Sequence, residues 1–170
     1  MRSLASALVL VSVLSGCAKR SGGPQIGDPA PDVSAPAADG SVVRVRQYAG
    51  HPVVLYFYPK DGTPGCTAQA CSLRDKWQEL QSVGAVVLGV STQDAGSHKA
   101  FAAEHKLPFP LLVDDGSLSK AFGVGHLGPF DQRVTFLLDG QGRLAKVWEE
   151  IDTANHGREV LDAIKALPKS

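Results

Sequence analysis

The 170-residue chain has few of the residues from which many functional sites are built. It contains three cysteines, one methionine and five histidines, and its basic and acidic side chains balance at 17 each. Three cysteines are too few for a disulfide-rich scaffold, so each one needs its own explanation. The sequence has no run of basic residues, which argues against nucleic acid as a partner.

Long apolar runs are also scarce. The mostly apolar run near the N-terminus, residues 4–14, is too short to cross a bilayer, which takes about 20 residues. It follows Met1-Arg2 and is typical of the hydrophobic region of a signal peptide. The next four residues, Leu14-Ser15-Gly16-Cys17, resemble a bacterial lipobox, in which the cysteine is lipidated and becomes the mature N-terminus. The alternative is an ordinary secretory signal in which Cys17 is incidental.

The lipobox interpretation predicts the organisation of the whole chain. Residues 1–16 form a lipoprotein signal peptide, residues 17–25 a flexible lipidated tether, and residues 26–170 a single domain without internal repeats. Two or more acyl chains anchor a protein stably. We therefore expect a lipoprotein of the cell envelope that faces the periplasm and meets the membrane only through its lipid. One cysteine pair, Cys66 and Cys71, then remains for chemistry.

The domain alternates strand-like and helix-like segments. Apolar and aromatic residues over 53–58 predict a central strand buried on both faces. A turn signal at residues 38–40 precedes an alternating strand over 41–45. Further strands are predicted over residues 85–90, 110–113, 133–138 and 143–149. Helices are predicted over residues 64–83, 96–106, 117–122 and 155–167. This order indicates an α/β sandwich with a mixed sheet.

The segment from Tyr58 to Cys71 joins the central strand to the longest predicted helix. Thr63 and Pro64 are typical of a helix N-cap and of the first helical residue, which puts Cys66 in the first turn. The apolar stripe of this helix consists of Cys66, Ala70, Leu73, Trp77 and Leu80. Cys71 lies about 140° around the helix from Cys66 and points elsewhere.

The position of Cys66 suggests a reactive thiol that needs further groups. A helix N-terminus stabilises a thiolate by about 0.3–1 kcal/mol, and by about 2 in a sheltered site. Lowering a thiol pKa from about 8.5 to about 6 takes about 3.4 kcal/mol, so a nearby arginine is also required. Nucleophilicity falls together with the pKa, so fast chemistry needs donors that stabilise the reacting oxygens as well. The available donors are the Thr63 hydroxyl, the backbone N–H of Gly65 or Cys66, and an arginine.

The spacing of the cysteine pair argues against a permanent disulfide. Two Cα atoms five residues apart on a helix are separated by about 8.6 Å, whereas a disulfide requires about 4.4–6.8 Å. The pair therefore cannot be bridged unless the helix unwinds, which favours a switch between thiol and disulfide forms. Metal binding is a weaker interpretation, because two cysteines supply half of a structural zinc site and no histidine spacing completes it.

The residues around the cysteines match a known family. Pro59, Thr63 and Cys66 have the Pro-x₃-Thr-x₂-Cys spacing of peroxiredoxins. The longer block over residues 57–67, with Ala70-Cys71 and Arg74-Asp75, resembles the bacterioferritin comigratory protein (PrxQ) branch of that family. The resemblance extends over about residues 26–168. It includes residues 27–32, 88–91, 132–139 and 155–156.

This resemblance implies a thioredoxin fold, with helices flanking a mixed central sheet, and thiol peroxidase activity on hydrogen peroxide and organic hydroperoxides. It implies that Cys66 is the peroxidatic cysteine and Cys71 the resolving one, and that the two form a redox disulfide. Thr63 and Arg133 would hold the thiolate and polarise the peroxide, while Pro59 would shield the pocket. A thioredoxin-like dithiol would reduce the disulfide, with no metal or organic cofactor. We expect a monomer.

Two other functions stay open. The same pair could serve a non-enzymatic redox sensor or disulfide-exchange partner in the envelope, or the chain could be an exported domain with a permanent disulfide. His156 is interpreted as a capping or surface histidine, and the other four histidines carry no signal. The segment between Phe122 and Arg133 is shorter than in many relatives, and we expect it to border the pocket.

Overall fold

The structure, a computed structural model, describes residues 22–168. The predicted signal peptide and the lipobox cysteine, Cys17, lie outside the described residues. At the described end of the predicted tether, a side chain on Gly23 would collide with the backbone of Phe122, so this part of the tether contacts the domain. Within residues 22–168, no helix has the length and apolar character needed to cross a membrane.

A small hairpin begins the domain. Strands β1 (Ser34–Pro36) and β2 (Val42–Arg44) are antiparallel, with the predicted turn at residues 38–40 between them. The strand predicted over residues 41–45 is shorter than expected, because Val45 begins a 3₁₀ helix, Val45–Tyr48. The backbone N–H of Arg44 donates to Gln47 Oε1 at 3.1 Å, and this bond closes the first turn of the 3₁₀ helix.

The central sheet is mixed and has five strands. The remaining strands of the described chain are β3 (Val53–Phe57), β4 (Val86–Ser91), β5 (Leu111–Val113), β6 (His126–Leu127), β7 (Phe130–Asp131), β8 (Val134–Leu138) and β9 (Leu144–Trp148). The order is β5-β4-β3-β8-β9, in which β3, β4 and β5 are parallel and β8 is antiparallel to both of its neighbours. Strands β6 and β7 form a separate hairpin. The predicted mixed sheet is confirmed.

The long helix predicted over residues 64–83 is wrong as a single element. The helices are α1 (Pro64–Asp75), α2 (Trp77–Ser82), α3 (Ala95–His105), α4 (Ser117–Phe122) and α5 (His156–Lys165). Lys76 separates α1 from α2 with φ −99° and ψ 6°, and its N–H bonds the Leu73 carbonyl in a tighter turn. Leu80 is as fully buried as Leu73, so the apolar stripe continues across the break and hides it from a periodicity argument.

The side chains of β3 alternate between two apolar layers. Val53, Leu55 and Phe57 pack on the face covered by α4 and the β1–β2 hairpin. Val54 and Tyr56 pack on the opposite face, with α1, α5 and part of α3. All five residues are buried, so the predicted burial on both faces is confirmed. The loop that leaves β3 therefore starts from a rigid edge at the centre of the molecule.

Candidate active site

Strand register brings Arg133 to the cysteine loop. Strands β3 and β8 are antiparallel, with Phe57 opposite Val134. The residue before β8 therefore lies at the sheet edge where the chain leaves β3, although Arg133 and Cys66 are 67 residues apart in sequence. Thr63 is extended at the N-cap of α1, and Pro64 begins the helix as predicted.

Cys66 is buried in the first turn of α1, with 1% of its surface exposed. Arg133 Nη2 lies 3.3 Å from Cys66 Sγ and donates to it, while Nη1 donates to Gln69 Oε1 at 2.6 Å. A Cβ on Gly65 would lie 3.3 Å from the same Nη2, so glycine leaves room for the guanidinium. The site thus places a fixed positive charge against a buried sulfur.

The other two predicted site residues of the loop, Thr63 and Pro59, are both half-buried. Thr63 occupies the N-cap position, but its hydroxyl donates to the Lys60 carbonyl at 3.1 Å instead of capping α1. The Thr63 carbonyl accepts from the Thr67 N–H at 2.8 Å. Pro59 is half-buried directly after β3. The proton of the Thr63 hydroxyl is therefore directed to the loop backbone.

Cys71 lies farther along α1 and is partly exposed. Both cysteines are free thiols. Arg74, one turn farther on, donates to Asp75 Oδ1 from Nε and Nη2 at 2.9 and 2.7 Å, and to the His105 carbonyl from Nη1 at 2.8 Å. Asp75, with a smaller contribution from Cys71, raises the pKa of Arg74. The positive charge near Cys71 is therefore already paired with a carboxylate.

A buried polar network supports the loop, and sequence reasoning missed it. Asp61 accepts hydrogen bonds from the hydroxyls of Tyr58 and Ser97 at 2.7 and 2.6 Å, and His98 Nδ1 lies 2.8 Å from Asp61 Oδ2. Burial alone would raise the pKa of Asp61, but the hydrogen bonds from these three side chains hold it below its usual range. His98 Nε2 lies 3.1 Å from the Leu112 carbonyl. The network ties the loop to α3 and β5.

Both ring nitrogens of His98 have polar partners. One ring nitrogen faces a carboxylate and the other a carbonyl oxygen, and both of these groups only accept hydrogen bonds. The fully buried ring is therefore fixed between Asp61 and the carbonyl of β5. The interpretation of His98 as an isolated residue is wrong. Its partner is 37 residues away in sequence, and no local pattern marks the pair.

A second buried network extends away from Arg133. Gln69 Nε2 donates to Thr135 Oγ1 at 3.4 Å, and His156 Nε2 lies 3.0 Å from the same oxygen. Gln69, Thr135 and His156 are fully buried. The interpretation of His156 as a capping or surface residue is therefore wrong. A signal was available, because His156 precedes the buried Val160 and Ile164 by one and two helical repeats of four residues, on the apolar face of α5.

The short segment before Arg133 lies beside the loop. Lys60 Nζ is 5.9 Å from the ring centre of Phe130 in the β6–β7 hairpin. In the same hairpin, the buried Asp131 has Oδ1 3.2 Å from His126 Nδ1. Burial, with a further contribution from Asp114, raises the pKa of Asp131 to about 6. The expectation that this segment borders the site agrees with these positions.

A metal ion has no evident place in the described part of the chain. Among residues 22–168, no group of three or more histidine, cysteine, aspartate or glutamate side chains is arranged to hold one. The two described cysteines, Cys66 and Cys71, are free thiols on the same helix. The contact that the structure does show at Cys66 is that of a thiol with a guanidinium.

Comparison with known proteins identifies the family. The AhpC/TSA family model matches residues 26–147. The chain belongs to the AhpC/TSA family. Peroxiredoxin Bcp of Bacillus subtilis is 40% identical over 153 residues, which cover 84% of this chain and 96% of that protein. Peroxiredoxin Bcp of Escherichia coli is 40% identical over 147 residues, which cover 82% of this chain and 94% of that protein.

Solved structures agree with this assignment. Peroxidoxin BcpB of Mycobacterium tuberculosis has a TM-score of 0.78 and 33% identity, covering 86% of this chain and 99% of that one. The structure of the bacterioferritin comigratory protein of Xanthomonas campestris has a TM-score of 0.77 and 33% identity, and the match covers 84% of this chain and 96% of that one. That protein is described with alkyl peroxide reduction activity. The thioredoxin-like fold is confirmed. The chain is a member of the Bcp/PrxQ group of peroxiredoxins, which are thiol peroxidases.

Proposed function

We propose that this peroxiredoxin reduces hydrogen peroxide and organic hydroperoxides by an atypical two-cysteine mechanism. The Cys66 thiolate attacks one peroxide oxygen, the O–O bond breaks, and the other oxygen leaves as water or an alcohol after taking up a proton. Cys66 is then a sulfenic acid, which condenses with the Cys71 thiol to form a disulfide and water. The observation that carries this proposal is the 3.3 Å contact between Arg133 Nη2 and the buried Cys66 Sγ.

Each neighbouring group has a role in the attack. The guanidinium of Arg133 stabilises the thiolate and the negative charge that develops on the leaving oxygen. The Thr63 hydroxyl donates to Lys60, which leaves its oxygen free to accept the proton of a bound peroxide. The half-buried Pro59 shields the pocket from water. Thr63 therefore orients the peroxide, and Arg133 polarises it.

Resolution requires a change in α1. Cys66 is buried and Cys71 is partly exposed on the same regular helix. About 8.6 Å separates Cα atoms at this spacing, which is too far for a disulfide. The helix therefore unwinds locally between residues 66 and 75, and the break at Lys76 limits how far the unwinding extends. A thioredoxin-like dithiol then reduces the bridge by thiol–disulfide exchange.

We also propose that the enzyme is a monomeric lipoprotein of the cell envelope. The lipobox sequence ending at Cys17 and the signal-like residues 1–16 support this location. The domain would then face the periplasm on a lipid tether formed by residues 17–25. Its reductant would be a dithiol protein of the same compartment.

A peroxide-consumption assay coupled to a dithiol reductant tests the mechanism. We expect Cys66→Ser to abolish turnover, and Cys71→Ser to permit one equivalent of peroxide reduction and then stop. A Cys66→Ser variant that keeps wild-type turnover would contradict the proposal. Oxidation of Cys66 no faster than that of a free thiol would instead indicate a redox sensor, and a bridge that resists mild dithiol treatment would indicate a structural disulfide.

Mass spectrometry and fractionation of the exported protein test the anchor. We expect a mature N-terminal Cys17 that carries acyl chains, in the membrane fraction. Cys17→Ser should lose the acyl mass and move to the soluble fraction. An unchanged distribution would contradict the lipid anchor without affecting the peroxidase proposal.

A further inference from the structure

An unbroken line of hydrogen bonds connects α5 to the reactive sulfur. His156 Nε2 lies 3.0 Å from Thr135 Oγ1, and Gln69 Nε2 donates to that oxygen at 3.4 Å. Gln69 Oε1 accepts from Arg133 Nη1 at 2.6 Å, and Arg133 Nη2 donates to Cys66 Sγ at 3.3 Å. The line joins α5, β8 and α1, and its side chains His156, Thr135 and Gln69 are fully buried.

The surroundings of His156 decide which of its nitrogens carries the proton. Burial lowers the pKa of His156, and the charge of Arg133 acts in the same direction against the opposing influence of Glu159. The ring is therefore neutral near pH 7 and has one N–H. Nδ1 lies 3.5 Å from Glu159 Oε2, and a carboxylate only accepts, so the proton is on Nδ1. His156 Nε2 is then an acceptor.

The direction of every other bond follows from this acceptor. The Thr135 hydroxyl donates to His156 Nε2, so its oxygen accepts from the amide NH₂ of Gln69. Gln69 is thus oriented with Oε1 towards Arg133. The reversed amide would place an NH₂ group against the guanidinium, donor against donor, and would remove the 2.6 Å contact that holds Arg133.

We propose that His156 is a positioning residue for the peroxidase reaction. By accepting from Thr135, it fixes the amide orientation of Gln69 and hence the placement of the Arg133 guanidinium beside Cys66. It acts only through these residues and contacts neither the sulfur nor the substrate. The inference rests on the proposed role of Cys66 as nucleophile, and adds a residue on a different helix to the site.

Protonation of His156 should break the line. An imidazolium donates from Nε2, so the Thr135 hydroxyl loses its acceptor and Gln69 loses its fixed orientation. The charged groups that act on His156 are Glu159 on its own helix, Arg133 before β8 and Asp152 between β9 and α5. The contacts of the ring from β8 and β9 are uncharged: Thr135 and the Trp148 ring. Oxidation of Cys66 should therefore slow on the acid side as His156 takes up a proton.

Glu159 allows the line to be tested without altering any of its members. Its carboxylate favours the protonated ring, so Glu159→Gln should lower the pKa of His156 further. The amide oxygen of the replacement can still accept from Nδ1, so the rate at pH 7 should stay unchanged while the acid-side loss of the Cys66 oxidation rate moves to lower pH. Glu104→Gln provides the same charge change on an exposed residue beside His105, and should leave the profile unmoved.

The decisive experiment is single-turnover oxidation of Cys66 by hydrogen peroxide across pH, with alkylation of Cys66 by iodoacetamide as a peroxide-free measure. We expect His156→Phe, which fills the space but cannot accept, to slow peroxide oxidation about 10- to 100-fold at pH 7. His156→Gln, whose amide oxygen can accept from Thr135, should recover most of this rate and lose the part of the acid-side decrease that comes from protonation of His156. Circular dichroism checks that each variant is folded.

Three results would overturn the inference. A folded His156→Phe variant with the wild-type rate at every pH would do so, as would equal rates for His156→Phe and His156→Gln. If neither variant folds, an unmoved pH profile in Glu159→Gln overturns it alone. A wild-type Cys66 that reacts no faster than a free thiol would instead refute the proposed function itself, and this inference with it.

Discussion

The two cysteines of α1 are five residues apart, yet their environments differ in origin. Cys66 is buried, and its arginine comes from the start of β8 through the register of two antiparallel strands. Cys71 is partly exposed, and the arginine near it, Arg74, comes from the next turn of the same helix and is paired with Asp75. One sulfur thus depends on the tertiary fold, and the other mainly on local helix geometry.

This difference fits a division of labour between the two thiols. Cys66 has a buried sulfur that accepts a hydrogen bond from Arg133. This environment suits attack on a peroxide, which needs a fixed charge in a water-poor site. Cys71 has a partly exposed sulfur on the helix surface. This position suits disulfide formation, because the sulfur has to move towards Cys66 and the disulfide later has to meet a protein reductant. The comparison predicts that changes to the tertiary network affect Cys66 selectively.

The largest expected effect comes from replacing each arginine in turn. Arg133→Gln should slow Cys66 oxidation by about 10²- to 10³-fold, because it removes the donor that stabilises the developing oxyanion. Arg74→Gln should change this rate by less than about twofold, since Arg74 is partly exposed and paired with Asp75. Stopped-flow oxidation measures both. Equal losses in the two variants would remove the distinction between the cysteines.

Hydrogen exchange of the oxidised protein tests the movement that Cys71 requires. Once the disulfide forms, amides of residues 66–75 should exchange about 100-fold faster, which corresponds to about 2.7 kcal/mol of lost local stability. The amides of α5 should keep their protection. The Cys71→Ser variant, stopped at the sulfenic acid, serves as the control. Unchanged protection in a protein whose mass shows the bridge would contradict local unwinding.

A smaller difference is expected in the free energy of unfolding when one carboxylate near each cysteine is replaced. Asp61 supports the loop before Cys66, and Asp75 pairs with Arg74 near Cys71. Asp61→Asn should cost about 1–3 kcal/mol at pH 7, because it removes the carboxylate that contacts Tyr58, Ser97 and the buried His98 ring. Asp75→Asn, at an exposed position, should cost less than about 0.5 kcal/mol. Urea unfolding at pH 7 measures both.

The pH dependence of Asp61→Asn has a definite sign. The folded pKa of Asp61 lies below its unfolded value, so the carboxylate stabilises the fold fully above about pH 4 and progressively less as pH falls through the folded pKa. The difference in the free energy of unfolding between the wild type and Asp61→Asn should therefore become smaller in acid. If this difference grew as the pH fell, the stabilising role assigned to the hydrogen bonds of Asp61 would be contradicted.

The smallest expected effect concerns the hairpin beside Arg133. The pKa of Asp131 is raised to about 6, so ionising this buried carboxylate costs stability as pH rises from about 4 to above 6. Asp131→Asn should remove that cost and stabilise the protein by about 1 kcal/mol at pH 8, with little change at pH 4. Urea midpoints at the two pH values measure it. If Asp131→Asn instead destabilised the protein at pH 8, the interaction of Asp131 with His126 would stabilise the fold by more than the burial of the carboxylate costs.

Local patterns predicted most of the fold. The apolar run of β3, the turn at residues 38–40 and the order of strands and helices all agree with the structure to within a few residues. The failures are the break at Lys76, which lies inside a continuous apolar stripe, and the 3₁₀ helix that ends the second strand early. Periodicity reports which face is buried, and it does not report a local change in backbone geometry.

Within the candidate site, local patterns predicted the residues that are close in sequence, and Arg133 was predicted only from the family resemblance. The Thr63-Pro64 helix start and the buried Cys66 follow from spacing and propensity. The buried histidines did not follow. His98 pairs with a carboxylate 37 residues away, and His156 bonds a strand residue 21 positions away, so sheet and helix packing decide their contacts.

The sequence by itself determined that a cysteine begins a helix after a buried strand, and that a second one follows at a spacing no regular helix can bridge. Both statements depend on interactions within a few residues, where backbone geometry is fixed. The tertiary structure decided what surrounds the first sulfur. Strand register placed Arg133 beside Cys66, and helix packing aligned Gln69, Thr135 and His156 behind it. These contacts exist because burial forces polar groups from distant segments to satisfy one another.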